Sequence, residues 1–192
     1  MLRFGALVLL ILAATGEAVP GAAHGGTTFL VRLVEIEVTL KPIAGPVMVN
    51  NCVIVAPDGG AHLELRRQEF YDGRASLVTY KTVLNRDAVA NLRRILDADQ
   101  IRTLPPFVSV FPANFDPMHS VTAEIQRGSG VQMVGYVEGG GEGPVNATEV
   151  RQNWLRSADA MRSLVEWFHA AKSLRGHDWN KVPNRSNGVC GK

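Results

Sequence analysis

The amino-acid sequence predicts an α+β fold in which an antiparallel sheet, built from a meander and a hairpin, carries two helices packed on one face. Segments in which apolar and polar side chains alternate with a period of two occupy the first part of the chain, separated by turn-forming residues. A helical period, a second pair of strands and a long amphipathic helix follow. This order of elements is typical of an antiparallel sheet with helices on one side.

The first 23 residues have the features of a cleavable signal peptide. Arg3 supplies a positive charge, residues 4–14 are apolar or small without a charge, and the small residues Gly21 and Ala23 suit a cleavage site. An uncleaved membrane anchor is the alternative, but it needs about 20 apolar residues. We therefore expect a secreted or periplasmic protein whose mature chain has no membrane span.

The rest of the chain is predicted to form one domain over residues 24–175, with a basic C-terminal tail over residues 176–192. A chain of this length can bury a core. Its 20 lysine and arginine residues against 18 acidic residues give a formal net charge of +2. This near-balance of charge does not indicate a nucleic-acid partner. A protein partner, which the sequence does not identify, is compatible with it.

The first strand is predicted between residues 29 and 40. Its alternation places an apolar set on the core face and Glu35 and Glu37 on the solvent face. The earlier residues follow the opposite parity, which predicts a bulge or kink near Leu33 and Val34. The apolar set consists of Val34, Ile36, Val38 and Leu40.

Three further strands and the first helix follow in order. Strands over residues 47–55, 62–70 and 77–84 complete the meander, and turn residues from Pro57 to Gly60 separate the first two of them. Asn85 is suited to cap a helix that runs from Arg86 to about Ala98.

A hairpin over residues 119–127 and 131–138 comes next, and the chain then enters its longest predicted helix. Thr148 caps this helix, which ends near Leu174. Its apolar stripe consists of Val150, Trp154, Ala158, Met161, Val165 and Phe168.

The chain has two cysteines, Cys52 and Cys190. In an oxidising compartment an even count favours a disulfide, which here would pin the tail to an early strand. The alternative is that Cys52 is a small buried apolar residue and that Cys190 is free. Neither cysteine has a neighbour at the spacing of a metal or redox motif, so the sequence predicts no catalytic cysteine.

None of the five histidines belongs to a recognised metal motif. His62 and Glu64 lie two residues apart on one predicted strand and should share a face. Together with His119 they could form the site of a small secreted hydrolase or metal-dependent enzyme, which is the alternative to a protein without enzymatic activity. The sequence indicates no cofactor and no catalytic residue beyond this group.

Other segments suggest function less directly. Glycines at residues 139–143 lack the lysine and the following helix of a phosphate loop, so we interpret them as a linker. Asn146 and Asn184 begin two glycosylation sequons. The segment over residues 105–117 holds three phenylalanines, Phe107, Phe111 and Phe115, which we interpret first as a small apolar core under a loop. The alternatives are that the segment presents a binding surface or inhibits a secreted hydrolase.

Two motifs between residues 52 and 107 occur together. Val55-Ala56-Pro57-Asp58-Gly59 leads into His62-Leu63-Glu64, and a helix stop follows at Ile101-Arg102-Thr103-Leu104-Pro105. With these motifs, residues 52–107 resemble an uncharacterised class of small exported bacterial proteins. The resemblance implies a hairpin with an Asp-Gly turn that leads to a helix, and it implies no activity. Because the sequence shows no recognisable catalytic constellation and favours a long-range disulfide, we expect an exported, soluble, non-enzymatic interaction or envelope-associated module.

Overall fold

A computed structural model describes residues 29–41, 45–71, 73–107, 118–139, 147–184 and 189–190. Seven strands in these residues form one antiparallel sheet in the spatial order β6-β5-β1-β2-β3-β4-β7. The strands are β1 (Val31–Lys41), β2 (Gly45–Val55), β3 (Gly60–Glu69), β4 (Ala75–Val83), β5 (Met118–Arg127), β6 (Gly130–Gly139) and β7 (Asn180–Val182).

The predicted meander and hairpin are both present. Strands β1 to β4 pair with their neighbours in sequence, and the β5–β6 hairpin pairs with the other side of β1. The turn between β2 and β3 contains Gly59 at a φ of 93°, and Asp58 Oδ1 accepts a hydrogen bond of 2.9 Å from the Gly60 backbone N–H. Because few residues with a side chain adopt such a φ, this glycine suits the turn.

The prediction of which face of β1 packs on the core is wrong over most of the strand. Val31, Leu33 and Glu35 are buried, whereas Val34 and Ile36 are partly exposed. The predicted bulge is also absent, because β1 pairs with β2 in an unbroken register from Val31 to Lys41. Both faces of this strand carry apolar residues, so alternation alone did not identify the face that packs on the core.

Four helices occur among the described residues, where the sequence predicted two. They are α1 (Arg86–Leu96), α2 (Asp99–Arg102), α3 (Ala147–Ala160) and α4 (Arg162–Lys172). The cap at Asn85 is confirmed, since its side chain accepts a hydrogen bond of 2.8 Å from the Ala88 backbone N–H.

The long predicted helix is divided at Met161, whose φ of −85° and ψ of −1° depart from ideal helical values. Hydrogen bonds from the Met161 N–H to the Ser157 carbonyl and from the Val165 N–H to the Met161 carbonyl cross the division. The apolar stripe therefore continues, and both Met161 and Phe168 are fully buried.

One hydrophobic core joins the sheet to the helices. Leu33, Val53 and Leu63 lie side by side on β1, β2 and β3, and they share this core with Leu92 of α1 and Phe168 of α4. We call the side of the sheet that carries these residues the core face and the opposite side the outer face.

The segment predicted as a C-terminal tail takes part in the fold. Residues 180–182 form β7, which pairs with β4 at one edge of the sheet. The predicted disulfide between Cys52 and Cys190 is present. Within the described ranges, no helix has the length and apolar character needed to cross a membrane. The predicted signal peptide, residues 1–23, lies outside the described residues.

Candidate functional site

The three residues of the predicted site lie on opposite faces of the sheet. Glu64 on β3 is the direct neighbour of Cys52 on β2, and His62 lies two residues before Glu64, so both project from the outer face. His119 on β5 is the neighbour of Glu37, which has the parity of the core-face residue Leu33. The prediction of one site holding all three is thus corrected to two clusters, because strand register separates them.

The outer-face cluster lies in an open cleft of about 790 Å³. Strands β2, β3, β4 and β7 line the cleft together with residues near the C-terminus. Its side chains carry both charge signs and several hydroxyl or amide groups. They include Asp58, His62, Glu64, Thr79, Lys81 and Asn180.

His62 and Glu64 form a close pair in this cleft. His62 Nε2 lies 2.8 Å from Glu64 Oε1, and the side chain of Glu64 is only 4% exposed. The backbone N–H of Val189 donates to the same oxygen, while the Cys190 N–H lies 3.4 Å from Oε2. Burial, the largest influence, would raise the pKa of Glu64, but the hydrogen bonds from Val189, His62 and Cys190 outweigh it and lower that pKa.

The disulfide holds the C-terminal turn against this pair. Cys52 is buried at the strand position opposite Glu64, and its bridge brings Cys190 over the outer face. Arg32 donates a hydrogen bond to the Cys190 carbonyl and also pairs with Glu124 at 3.1 Å. Four strands therefore contribute to the position of the last described residues.

The arrangement can support two kinds of chemistry. An imidazole oriented by a carboxylate can exchange a proton with a bound molecule. Ligand atoms of His62, Glu64 and Cys190 also lie within 4.8 Å of one another, as a metal ion would require. With Cys190 in a disulfide, however, its sulfur is not a thiolate and is a poor ligand.

The second cluster surrounds Glu35, which the sequence had assigned to solvent. Glu35 Oε1 accepts hydrogen bonds of 3.1 Å from His119 Nε2 and from His169 Nε2. Its Oε2 accepts bonds of 2.6 Å from Lys172 Nζ and 3.1 Å from Asn51 Nδ2. The cluster thus joins β1, β2 and β5 to α4 on the core face.

The groups in this cluster shift each other's pKa values. Burial is the largest influence on Glu35 and would raise its pKa, but the bonds from His119, Lys172 and Asn51 hold that pKa well below the usual range. The bond to Glu35 in turn raises the pKa of His119, assisted by Glu138 and opposed by burial. Burial, together with Glu138 and Glu35, raises the pKa of Tyr136 to about 12.

Both ring nitrogens of His119 face a carboxylate, since Nδ1 lies 3.2 Å from Glu138 Oε2. Both can donate only when the ring is an imidazolium, in agreement with its raised pKa. All four partners of Glu35 donate to it, so the carboxylate has its lone pairs occupied. We therefore assign this cluster a structural role in holding α4 to the sheet.

Sequence reasoning missed Glu35. A signal that could have indicated it is a pair of basic residues, His169 and Lys172, spaced by three residues on the last helix. Such a pair on a helix that packs on a sheet can meet a buried carboxylate, but the pair does not specify which one.

Other predicted features fall partly outside the described residues. These comprise Phe111, Phe115, the sequon at Asn146 and all but the first of the glycines at 139–143. Phe107 is described and partly buried, and its N–H donates to the Met133 carbonyl. Asn184 is exposed, and its side-chain amide donates to the Leu77 carbonyl.

Comparisons with known proteins do not extend this description. No protein-family model matches the chain, and no curated protein matches it significantly. The fold and the clusters therefore define its class on their own. It is an α+β protein with a seven-stranded antiparallel sheet, a long-range disulfide, and a polar cleft beside that disulfide.

Proposed function

We propose that this chain is an exported binding module without enzymatic activity, and that it takes up a small polar molecule in the outer-face cleft. The cleft itself carries the proposal. Its volume of about 790 Å³ falls within the range of about 300–1,000 Å³ typical of small-molecule sites. Acidic, basic, hydroxyl and amide groups line it, so a ligand with both donors and acceptors would suit it.

Export is supported by the signal-like first 23 residues and by the disulfide, which persists in oxidising compartments. The resemblance of residues 52–107 to small exported bacterial proteins favours the same location. In this proposal α1 and α4 cover the core face, which leaves the outer face for the ligand. The shared core of Leu92, Phe168 and the core-face strands supports that division of the two faces.

A library of small amines, carboxylates, sugars and phosphate esters would test the proposal through ligand-observed NMR on the oxidised chain. We expect at least one compound whose affinity falls about 10-fold or more in His62→Gln or Lys81→Ala. His177→Ala is the matched control, because His177 is not among the residues that line the cleft. If no compound binds in a manner that depends on His62 or Lys81, the cleft is not a ligand site.

A metal-dependent enzyme or small hydrolase is the second candidate. The observation that favours it is the 2.8 Å contact between His62 and a buried Glu64 in an open cleft, an arrangement suited to a general base. His119 has no part in it. Chromogenic ester and phosphate-ester substrates, with and without added zinc, separate the two functions. Turnover that His62→Ala abolishes would support the enzyme and contradict the binding module.

A further inference from the structure

We propose that reduction of the Cys52–Cys190 disulfide converts the outer-face cluster into a zinc site with His62, Glu64 and both cysteines as ligands. The inference does not rest on the small-molecule cleft, because it concerns the reduced chain. It starts from the observation that possible ligand atoms of His62, Glu64 and Cys190 already lie within 4.8 Å of one another. Cys52 is not one of these three residues, but its sulfur is bonded to that of Cys190, which makes it the fourth candidate ligand.

Three of these four residues have positions set by the sheet. His62 and Glu64 lie two residues apart on β3 and therefore project from one face, and Cys52 on β2 is the direct neighbour of Glu64. Cys190 lies outside the strands, and the contacts of its carbonyl with Arg32 and of its N–H with Glu64 would keep it beside the other three residues when the sulfur–sulfur bond is broken. Closing around an ion would therefore need side-chain movements, chiefly at Cys52, because the ligand atoms of the other three residues are already close together.

The surroundings of Glu64 favour a fixed ligand. The N–H groups of Val189 and Cys190 donate to its two oxygens and orient the carboxylate. Oε2 keeps a second lone pair for a metal ion, and Oε1 regains one when His62 Nε2 leaves it to bind that ion. Outer-shell hydrogen bonds of this kind tune the affinity of metal sites by about 10–100-fold.

The donor set specifies the metal. Two thiolates, one imidazole and one carboxylate make four ligands of the types that zinc takes in tetrahedral sites. Calcium and magnesium prefer oxygen ligands alone, so they would not compete effectively for this site.

The chemistry needs a thiol reductant. One reductant thiolate attacks a sulfur of the protein disulfide, and a second completes the exchange, giving two protein thiols and one oxidised reductant. Zinc then displaces the two thiol protons to solvent and forms two zinc–sulfur bonds. Cys190 is partly exposed and Cys52 is buried, so we expect attack at Cys190. The same thiols exist in a newly made chain before oxidation, and zinc would then compete with disulfide formation.

Zinc titration of the mature chain under anaerobic conditions tests the proposal, with a chromogenic zinc chelator as competitor. We expect the reduced chain to bind one zinc per molecule, and the oxidised chain to bind at least about 100-fold more weakly. Cobalt added in place of zinc should show the absorption of a tetrahedral thiolate complex in the reduced chain alone. Equal zinc binding by the two redox states would overturn the proposal.

Variants separate the site from chelation by thiols alone. Cys52→Ala/Cys190→Ala should lose the cobalt absorption, and His62→Ala and Glu64→Gln should each weaken zinc binding by about 10-fold or more. His177→Ala should bind as the parent does. If His62→Ala and Glu64→Gln retain the parent affinity, the thiols act without the sheet ligands and the site is disproved.

Reduction could also unfold the chain, and that outcome is informative. The site then requires that zinc restore the far-UV circular dichroism of the folded chain, since ligands brought together by folding couple metal binding to folding. Failure of zinc to restore it would contradict the proposal. Binding of polar molecules by the oxidised chain is unaffected by either result, so the two proposals fail independently.

Discussion

Lys172 Nζ lies 2.6 Å from Glu35 Oε2, and this contact joins the last residue of α4 to a central strand of the sheet across 137 positions of sequence. The Glu35 side chain is 5% exposed, whereas that of Lys172 is 28% exposed. The carboxylate is therefore the group that depends on its partners, because water cannot replace the bonds it would lose.

Glu35→Gln should lower the free energy of unfolding by about 2 kcal/mol, because hydrogen bonds to a charged group contribute about 1.5–3 kcal/mol. The amide keeps the size of the side chain but removes the negative charge that accepts hydrogen bonds from Lys172 and His119. Urea denaturation at pH 6 measures the change. Glu37→Gln is the matched control on the same strand, and it is expected to stay within about 0.5 kcal/mol of the parent. Equal losses in the two variants would contradict a stabilising role for the cluster.

Stability should be greatest between about pH 4.5 and pH 6.5, the ordinary pKa values of the glutamate and histidine groups. The folded pKa of Glu35 is lowered, so its contribution is present above pH 4.5 and is lost as the pH falls. The folded pKa of His119 is raised, so its contribution is present below pH 6.5 and is lost as the pH rises.

Urea denaturation of the parent and of His119→Gln between pH 4 and pH 9 checks this dependence. The carboxylates facing His119 are Glu35 and Glu138, and Lys172 and His169 reach the same Glu35 from α4. The parent should lose stability above pH 6.5, and the variant should lose less over that range. A variant whose pH profile parallels the parent's would show that His119 is not responsible.

The double variant Cys52→Ala/Cys190→Ala should unfold more easily by about 5 kcal/mol, which is the chain-entropy value for a loop of this size. The bridge spans 138 positions of sequence. Unfolding of the parent with and without reductant provides the comparison, and the double variant should be insensitive to reductant. A difference below about 1 kcal/mol would mean that the other contacts of the C-terminal turn hold it without the bridge.

Arg127→Met should destabilise the fold by about 2 kcal/mol, because three contacts of one guanidinium are lost. Its Nη2 donates to the Leu96 carbonyl at 2.6 Å, its Nε to Gln132 at 3.0 Å and its Nη1 to Asp97 at 2.6 Å. Arg127→Lys should recover only part of the loss, since an ammonium cannot reproduce the planar fork.

Thermal and urea unfolding would measure both Arg127 variants against Arg94→Met, which alters an exposed arginine of α1. We expect this control to change stability by less than about 0.5 kcal/mol. If Arg127→Met and Arg94→Met change the free energy of unfolding equally, Arg127 does not stabilise the fold by joining the end of α1 to β5.

Local patterns explain what could be predicted from the sequence. Asn85 caps α1 because capping depends on residues three positions apart, and the turn at Gly59 depends on one backbone angle. Two cysteines allow one intramolecular pairing, so the partners Cys52 and Cys190 follow once an oxidising compartment is expected. The antiparallel sheet followed from alternation and short turns.

Long-range contacts explain what could not be predicted. Glu35 is held by partners 16 to 137 positions away, three of them at least 84 positions away, and nothing near it in sequence distinguishes it from the exposed Glu37. His62 and His119 could not be assigned to faces, because a shift of one residue in register reverses the face of every side chain on a strand. The boundary between α3 and α4 at Met161 could not be predicted either. The apolar stripe continues through it, and backbone hydrogen bonds cross it.

Sequence order also limits how the fold can be completed. Strand β1 pairs with β5 on one side, and about 80 residues separate these two strands in sequence. Those residues must be synthesised before β1 can pair on both sides. Cys190 follows every described strand and helix, and its partner Cys52 lies in the second strand. The native bridge can therefore form only after all of these strands and helices have been synthesised, and until then Cys52 lacks its native partner.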